Sequence, residues 1–223
     1  MPKKIIHIKV NPKVRRSSCF FLFFILISTF EMGAQKFTGN VDFGLRAGLN
    51  MTTIGGIESS GLTVGLTVGA VGKYTLSMKS NLSAELLYTT GGMSSNRTIE
   101  LTDVKVKIYD KTHLHYLAIP VLYQYYFTDV LGIEVGPRFG VCLGGKERTR
   151  EGNERWESKK LSQSDYHVFD CGILAGIYTN DMAQESDFSV GLRIYFGLTN
   201  VMKDEGSNKN ICIQLGIGYI IGE

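Results

Sequence analysis

The sequence predicts an all-β chain, an eight-stranded antiparallel up-and-down transmembrane β-barrel preceded by a cleavable signal peptide. Three observations predict it. Eight segments after residue 40 alternate apolar with non-apolar residues. The second face of those segments is glycine, polar or charged. Short and long connections take turns along the chain.

The N-terminus reads as an export signal. Lys3, Lys4, Lys9, Lys13, Arg15 and Arg16 precede the apolar run from Cys19 to Phe30, and Glu31-Met32-Gly33-Ala34-Gln35 follows it. A basic region, an apolar core and a small-residue exit are the three parts of a secretory signal. The run is short of the roughly 20 residues that span a bilayer. Cleavage is placed at Ala34/Gln35, giving a signal over 1–34 and a barrel domain over 35–223. A retained N-terminal anchor is the alternative. A lipoprotein signal is disfavoured, because its cysteine would follow the apolar run and Cys19 opens it.

Export changes the charge. Residues 1–34 hold six of the 24 Lys and Arg and one of the 21 Asp and Glu, which leaves 18 basic against 20 acidic residues, a net −2. The basic excess belongs to the signal, so no nucleic-acid partner is implied.

Consecutive strand residues face opposite sides, and a membrane barrel needs apolar side chains at every second position. Strand one, Val41 to Thr52, sets Val41, Phe43, Leu45, Ala47 and Leu49 against Asp42, Gly44, Arg46, Gly48 and Asn50. Strand two, Gly61 to Tyr74, sets Leu62, Val64, Leu66 and Val68 against Thr63, Gly65, Thr67 and Gly69. Strand three, Asn81 to Gly91, sets Leu82, Ala84, Leu86 and Tyr88 against Ser83, Glu85, Leu87 and Thr89. Strand four, His113 to Phe127, carries Leu117, Ile119, Val121, Tyr123 and Tyr125 on its apolar face. Strand five, Leu131 to Gly144, sets Ile133, Val135, Phe139, Val141 and Leu143 against Glu134, Arg138 and glycines. Strand six, Tyr166 to Thr179, sets Phe169, Cys171, Ile173 and Ile177 against Asp170, Gly172, Leu174 and Gly176. Strand seven, Asp187 to Thr199, opposes Phe188, Val190, Leu192, Ile194 and Phe196 to Ser189, Gly191, Arg193 and Tyr195. Strand eight, Asn210 to Ile221, opposes Ile213, Leu215, Ile217 and Tyr219 to Cys212, Gln214, Gly216 and Gly218.

An even strand count is the rule for single-chain bacterial barrels. Connections at Thr75–Ser80, Thr128–Val130 and Asn180–Ser186 are short; those at Thr53–Ser60, Gly92–Thr112, Gly145–Asp165 and Asn200–Lys209 are mostly longer. That asymmetry marks a membrane barrel and places both termini in the periplasm. The segment from Ile99 to Tyr109 is read as an extension of its hairpin above the membrane. The charged Gly145–Asp165 connection is read as a solvated loop.

Arg46, Glu85, Glu134, Arg138, Asp170 and Arg193 all fall on the second face. A soluble core would not collect them, because buried charge is expensive. In a lumen they can pair, and a structural ion-pair ladder is the reading preferred over a solute path. An eight-stranded barrel has room for side chains and little for a channel. Arg46 with Glu85, and Arg138 or Arg193 with Asp170, are the candidate pairs. A soluble lipocalin-like barrel would invert the faces and would need lysine- and glutamate-rich strands. Tyr88, Tyr123, Tyr125, Phe127, Phe188 and Tyr219 fit either interfacial girdles or plain β-propensity.

No cofactor, metal or catalytic site is expected. Cys142, Cys171 and Cys212 are an odd set at wide spacing, neither a disulfide framework nor a zinc motif. His113, His115 and His167 read as rim residues. Ser164, Asp165 and His167 are near one another in sequence, which is no triad geometry.

Several segments resemble the PorT-like outer-membrane β-barrel family of Bacteroidota. They are FGLRAGLNMT, SAELLYTTGG, HYLAIPVLYQYYF, GIEVGPRFGV, FDCGILAGI, LRIYFGLTNV and QLGIGY, in order along nearly the whole mature chain. The core Tyr116-Leu117-Ala118-Ile119-Pro120 is the most specific; the family often has an acidic residue where Ala118 stands. Many members also end in an aromatic residue, where this chain ends Tyr219-Ile220-Ile221-Gly222-Glu223. The resemblance implies integral outer-membrane location in a Gram-negative cell and a structural or interaction role supporting secretion by the type IX route. Expected partners are outer-membrane lipid and other cell-envelope or secretion proteins. An outer-membrane lipid-modifying enzyme or a small-solute transporter is the alternative, and no enzyme activity is expected.

Overall fold

The computed structural model describes residues 41–57, 60–101, 104–152, 154–179, 188–203 and 206–221. The signal peptide and its cleavage at Ala34/Gln35 lie outside the described residues. The strands are β1 (Val41–Gly55), β2 (Ser60–Gly61), β3 (Thr63–Ser77), β4 (Ser80–Leu101), β5 (Val104–Tyr126), β6 (Leu131–Glu151), β7 (Glu157–Lys160), β8 (Phe169–Thr179), β9 (Phe188–Asn200) and β10 (Lys209–Ile221). All but β2 and β7 are long, and each long strand pairs antiparallel with two neighbours. The ring runs β1, β3, β4, β5, β6, β8, β9, β10. It closes where β10 meets β1, from Phe43 opposite Ile221 to Gly55 opposite Lys209. This is the predicted all-β, up-and-down, eight-stranded barrel.

Alternation decides which way each side chain points. The apolar set faces out over β1, β3, β4, β5, β6, β8, β9 and β10: Phe43 is 65% exposed, Val64 66% and Leu143 58%. A belt of that size left in water would be a severe aggregation liability. In hydrocarbon it is the required surface. Tyr125, Phe127, Phe188 and Tyr219 border the belt at the short-turn end, where the Phe188 and Tyr219 rings lie 4.8 Å apart. At the long-hairpin end the Tyr88 hydroxyl bonds His115 Nδ1 at 2.7 Å.

Three strands run well past their predicted ends. β4 continues to Leu101, β5 begins at Val104, and β6 continues to Glu151. The connections predicted over Gly92–Thr112 and Gly145–Asp165 are therefore largely strand. Beyond the belt the outer face no longer meets hydrocarbon and the buried inner face includes the polar Ser95, Asp110 and Thr112, so the apolar alternation that marks a strand in sequence is no longer required. β7 adds to β6, and β2 adds to β4, which widens this protruding sheet. Strand six starts later than predicted: Tyr166 makes an isolated bridge with Met202, and β8 begins at Phe169.

The pairing of β4 with β3 ends at Thr89, and Gly92, three residues on, has a φ of +149°, where other residues are strained. A Cβ there would stand 1.8 Å from the Thr112 carbonyl oxygen. Gly92→Val is expected to destabilise the folded barrel by about 2–4 kcal/mol. Urea unfolding in detergent micelles measures it.

Candidate functional site

The barrel interior is the first candidate site, and it is built in three layers. In the middle, β9 presents Arg193 inward, 1% exposed, between Glu85 of β4 and Glu134 of β6. Arg193 Nη1 and Nη2 donate to Glu85 Oε2 and Oε1 at 2.8 and 2.7 Å. Its Nε and Nη2 donate to the two oxygens of Glu134, the second at 3.0 Å. Gln124 of β5 donates to Glu134 Oε2 at 2.9 Å. Arg46 of β1 approaches Glu85 Oε1 at 3.4 Å through its Nε. Two arginines thus face two carboxylates. Fork-to-carboxylate bonding of this kind is among the stronger side-chain pairings.

Nearby, Arg138 Nη1 stands 3.5 Å from Asp170 Oδ2, with its guanidinium 4.2 Å from the Tyr195 ring centre. Thr199 and Asn210 donate to Asp170 at 3.2 and 3.4 Å. Asn50 bonds the Thr67 and Thr89 hydroxyls, both at 2.7 Å.

Glycines make room for these side chains. A Cβ on Gly176 would meet Arg193 Cγ at 2.9 Å and Glu134 Oε1 at 3.2 Å. A Cβ on Gly216 would stand 3.4 Å from Arg46 Nη1. The glycine-rich second face is therefore the space that the arginines occupy.

The two ends are sealed differently. At the long-hairpin end Ile54, Met93, Leu114, Tyr116, Cys142, Tyr166 and Val201 form an apolar plug, with Ile57, Leu161, Val168 and Met202 packed on it. Backbone bonds fold the connecting segments into the mouth: Cys142 N–H to Val168 O at 2.7 Å, His167 N–H to Val201 O at 2.8 Å, and Leu161 N–H to Gly145 O at 3.1 Å. Asn208 Oδ1 accepts from the amides of Val201 and Met202. At the short-turn end Tyr126 and Tyr178 meet edge to face at 5.4 Å, and Asn81 donates to the Tyr126 hydroxyl at 2.9 Å. A cavity of about 20 Å³ lies between Asn50, Arg193 and Tyr195, room for about one water.

The outer membrane protein beta-barrel domain family matches the sequence over residues 33–203. The chain belongs to this family. It is an integral outer-membrane β-barrel protein. Among solved structures it is similar to Ail, the attachment invasion locus protein of Yersinia pestis, crystallised with the heparin analogue sucrose octasulfate. That likeness has 12% identity and a TM-score of 0.45, over 82% of this chain and 99% of the other. Neisserial surface protein A is similar at 12% identity and a TM-score of 0.45, over 81% of this chain and 98% of that one. OprG from Pseudomonas aeruginosa is similar at 14% identity and a TM-score of 0.38, over 83% and 98%. A search of curated proteins found no match.

The outer-membrane barrel brings all six charges singled out in the sequence into its lumen. Arg46 meets Glu85 and Arg138 meets Asp170. Arg193 departs from the candidate pairing with Asp170 and binds Glu85 and Glu134 instead. Lys73 was missed and is 2% exposed in the same interior. Continuing the Thr67 and Gly69 alternation by two more steps would have found it. Asn50 and Tyr195 were read only as face positions, and Gln124 was not singled out.

Ser164 and Asp165 lie in a turn that ends two residues before His167. Ser164 Oγ donates to Asp165 Oδ1 at 3.0 Å, and the Ser162 amide donates to Oδ2 at 2.8 Å. These two donors hold the Asp165 carboxyl below its usual range. The contact contributes above the ordinary aspartate range and is lost as pH falls through the lowered value. The Ser164 hydroxyl is thus turned to the carboxylate, and His167 is exposed. Among the described residues no group of three His, Cys, Asp or Glu is arranged to hold a metal ion.

Arg193→Met would leave Glu85 and Glu134 facing each other without their shared cation. The expected cost is about 3–5 kcal/mol, since breaking a buried pair strands the remaining charge. Equilibrium unfolding of the variant in micelles checks it.

Proposed function

We propose that this outer-membrane barrel acts as a structural or interaction protein through its protruding sheet, and that it supports protein secretion in the manner of PorT-like proteins of the type IX route. The reading places the long hairpins outside the cell and both termini in the periplasm. It assigns no enzyme activity and no nucleic-acid partner. Outer-membrane lipid and other envelope or secretion proteins are its partners.

One observation carries this reading. The lumen is filled by paired charges and stopped by an apolar plug, while β4, β5, β6 and β7 build a sheet well beyond the belt. A solute path would need open polar space along the axis. Surface available for recognition lies instead on the sheet.

Deletion of the gene is expected to deplete the set of proteins released from the cell. An unchanged secreted set would remove the type IX role and leave the barrel fold untouched. The purified barrel is expected to give no discrete conductance steps in a planar bilayer. Steady single-channel openings would replace this reading with transport.

A further inference from the structure

The outward face of the protruding sheet continues the lipid-facing belt and is cationic. On β5 the outward residues run from Leu117 through His115 and His113 to Lys111. On β6 they run from Leu143, across a bulge, to Lys146, Arg148 and Arg150. The register sets His113 beside Lys146 and Lys111 beside Arg148, and β7 sets Lys160 beside Lys146. The carboxylates of the protruding part of these strands, Asp110, Glu147, Glu151 and Glu157, pair onto the other face, opposite Thr149, Thr112, Ile108 and Thr149.

Like charges placed directly opposite each other destabilise a sheet. Among the described residues Lys111, Lys146, Arg148 and Lys160 make no ion pair; the described ion pairs lie in the lumen. Burial, Arg148, Lys111 and His115 together hold the His113 imidazole below its usual range. Trp156 sits over this face, 5.3 Å from Lys111 Nζ and 4.9 Å from the Arg150 guanidinium. An anion from outside the chain would relieve the repulsion that remains after solvent screening.

Height identifies the anion. Lys146 and His113 stand two pleats above Leu117, about 13 Å along the strand and about 10 Å in height at a tilt near 40°. The headgroup layer is roughly 5–8 Å thick on each side. Lysine and arginine stems reach back several ångströms to place their charge. Lys146 and Lys160 therefore reach the level of lipid headgroups, and Lys111 and Arg148 stand one pleat, about 5 Å, higher with stems that reach back toward it.

The geometry points to a binding site for lipid headgroup phosphates, formed by Lys111, Lys146, Arg148 and Lys160 in the leaflet at the long-hairpin end. The site goes beyond the secretion role and stands or falls independently of it. Polyphosphorylated lipid suits it best, since several cations can each engage a phosphate oxygen.

Trp156 is the sole tryptophan, so its emission reports on this face. The folded full chain in neutral detergent micelles is titrated with diphosphoryl lipid A, with the same lipid lacking phosphates, with inorganic phosphate and with polyglutamate. Diphosphoryl lipid A is expected to shift Trp156 emission saturably. K146Q/R148Q keeps both cations that touch Trp156 and is expected to weaken the lipid roughly tenfold or more. K79Q/K159Q removes two charges off the face and is expected to leave affinity unchanged. Circular dichroism matched to the parent establishes that each variant is folded, and single K146Q serves if the double variant is not. Equal binding by K146Q/R148Q would overturn the site. Equal binding of the dephosphorylated lipid would overturn the phosphate, and an equal response to inorganic phosphate would overturn the lipid. Preferential binding of polyglutamate would reassign the face to an acidic protein partner.

Discussion

Closure is the constraint on which the rest depends. Hydrocarbon offers no hydrogen bonds, so an unpaired sheet edge inside a membrane is too costly to exist. The pairing of β10 with β1 removes that edge. Once the ring is closed, each strand has a lipid side and a lumen side, and the two-residue period sorts its side chains between them. The exposed Phe43, Val64 and Leu143 and the buried Arg46, Glu85 and Arg193 are two results of one geometry.

Eight strands enclose a space too narrow for bulk water and too wide to leave empty. The chain fills it with charge rather than hydrocarbon. Removing charges from water is expensive, and a buried ion pair recovers the cost only with good geometry and full hydrogen bonding. Arg193 meets that condition through Glu85 and Glu134, with Gln124 as a further donor. Glycines at 176 and 216 supply the volume. The apolar plug around Leu114, Tyr116 and Tyr166 shields this network at the long-hairpin end, and the Tyr126–Tyr178 pair covers the other.

Much of the barrel was legible in the sequence because the membrane imposes a strict pattern on it. Where that pattern ends, legibility ends. Above the belt the outer face no longer meets hydrocarbon and the inner face carries buried polar residues such as Ser95, Asp110 and Thr112, so outside Ile99–Tyr109, read as a hairpin extension, much of Gly92–Thr112 and Gly145–Glu151 was read as loop. Lys73 escaped because the inward series of β3 was followed only as far as Gly69. The cationic face escaped because its members come from separate strands: Lys111 and Arg148 are neighbours only through the β5–β6 register.

By itself the sequence determined the number of strands, the face on which each residue stands and the set of charges turned inward. These follow from periodicity, which is local. Only the tertiary structure decided which charges meet. Arg193 and Glu85 are 108 positions apart and stand on strands across the lumen. Their meeting depends on how far each strand is staggered against the next as the ring closes. Stagger accumulates around the whole barrel, so it belongs to no single segment.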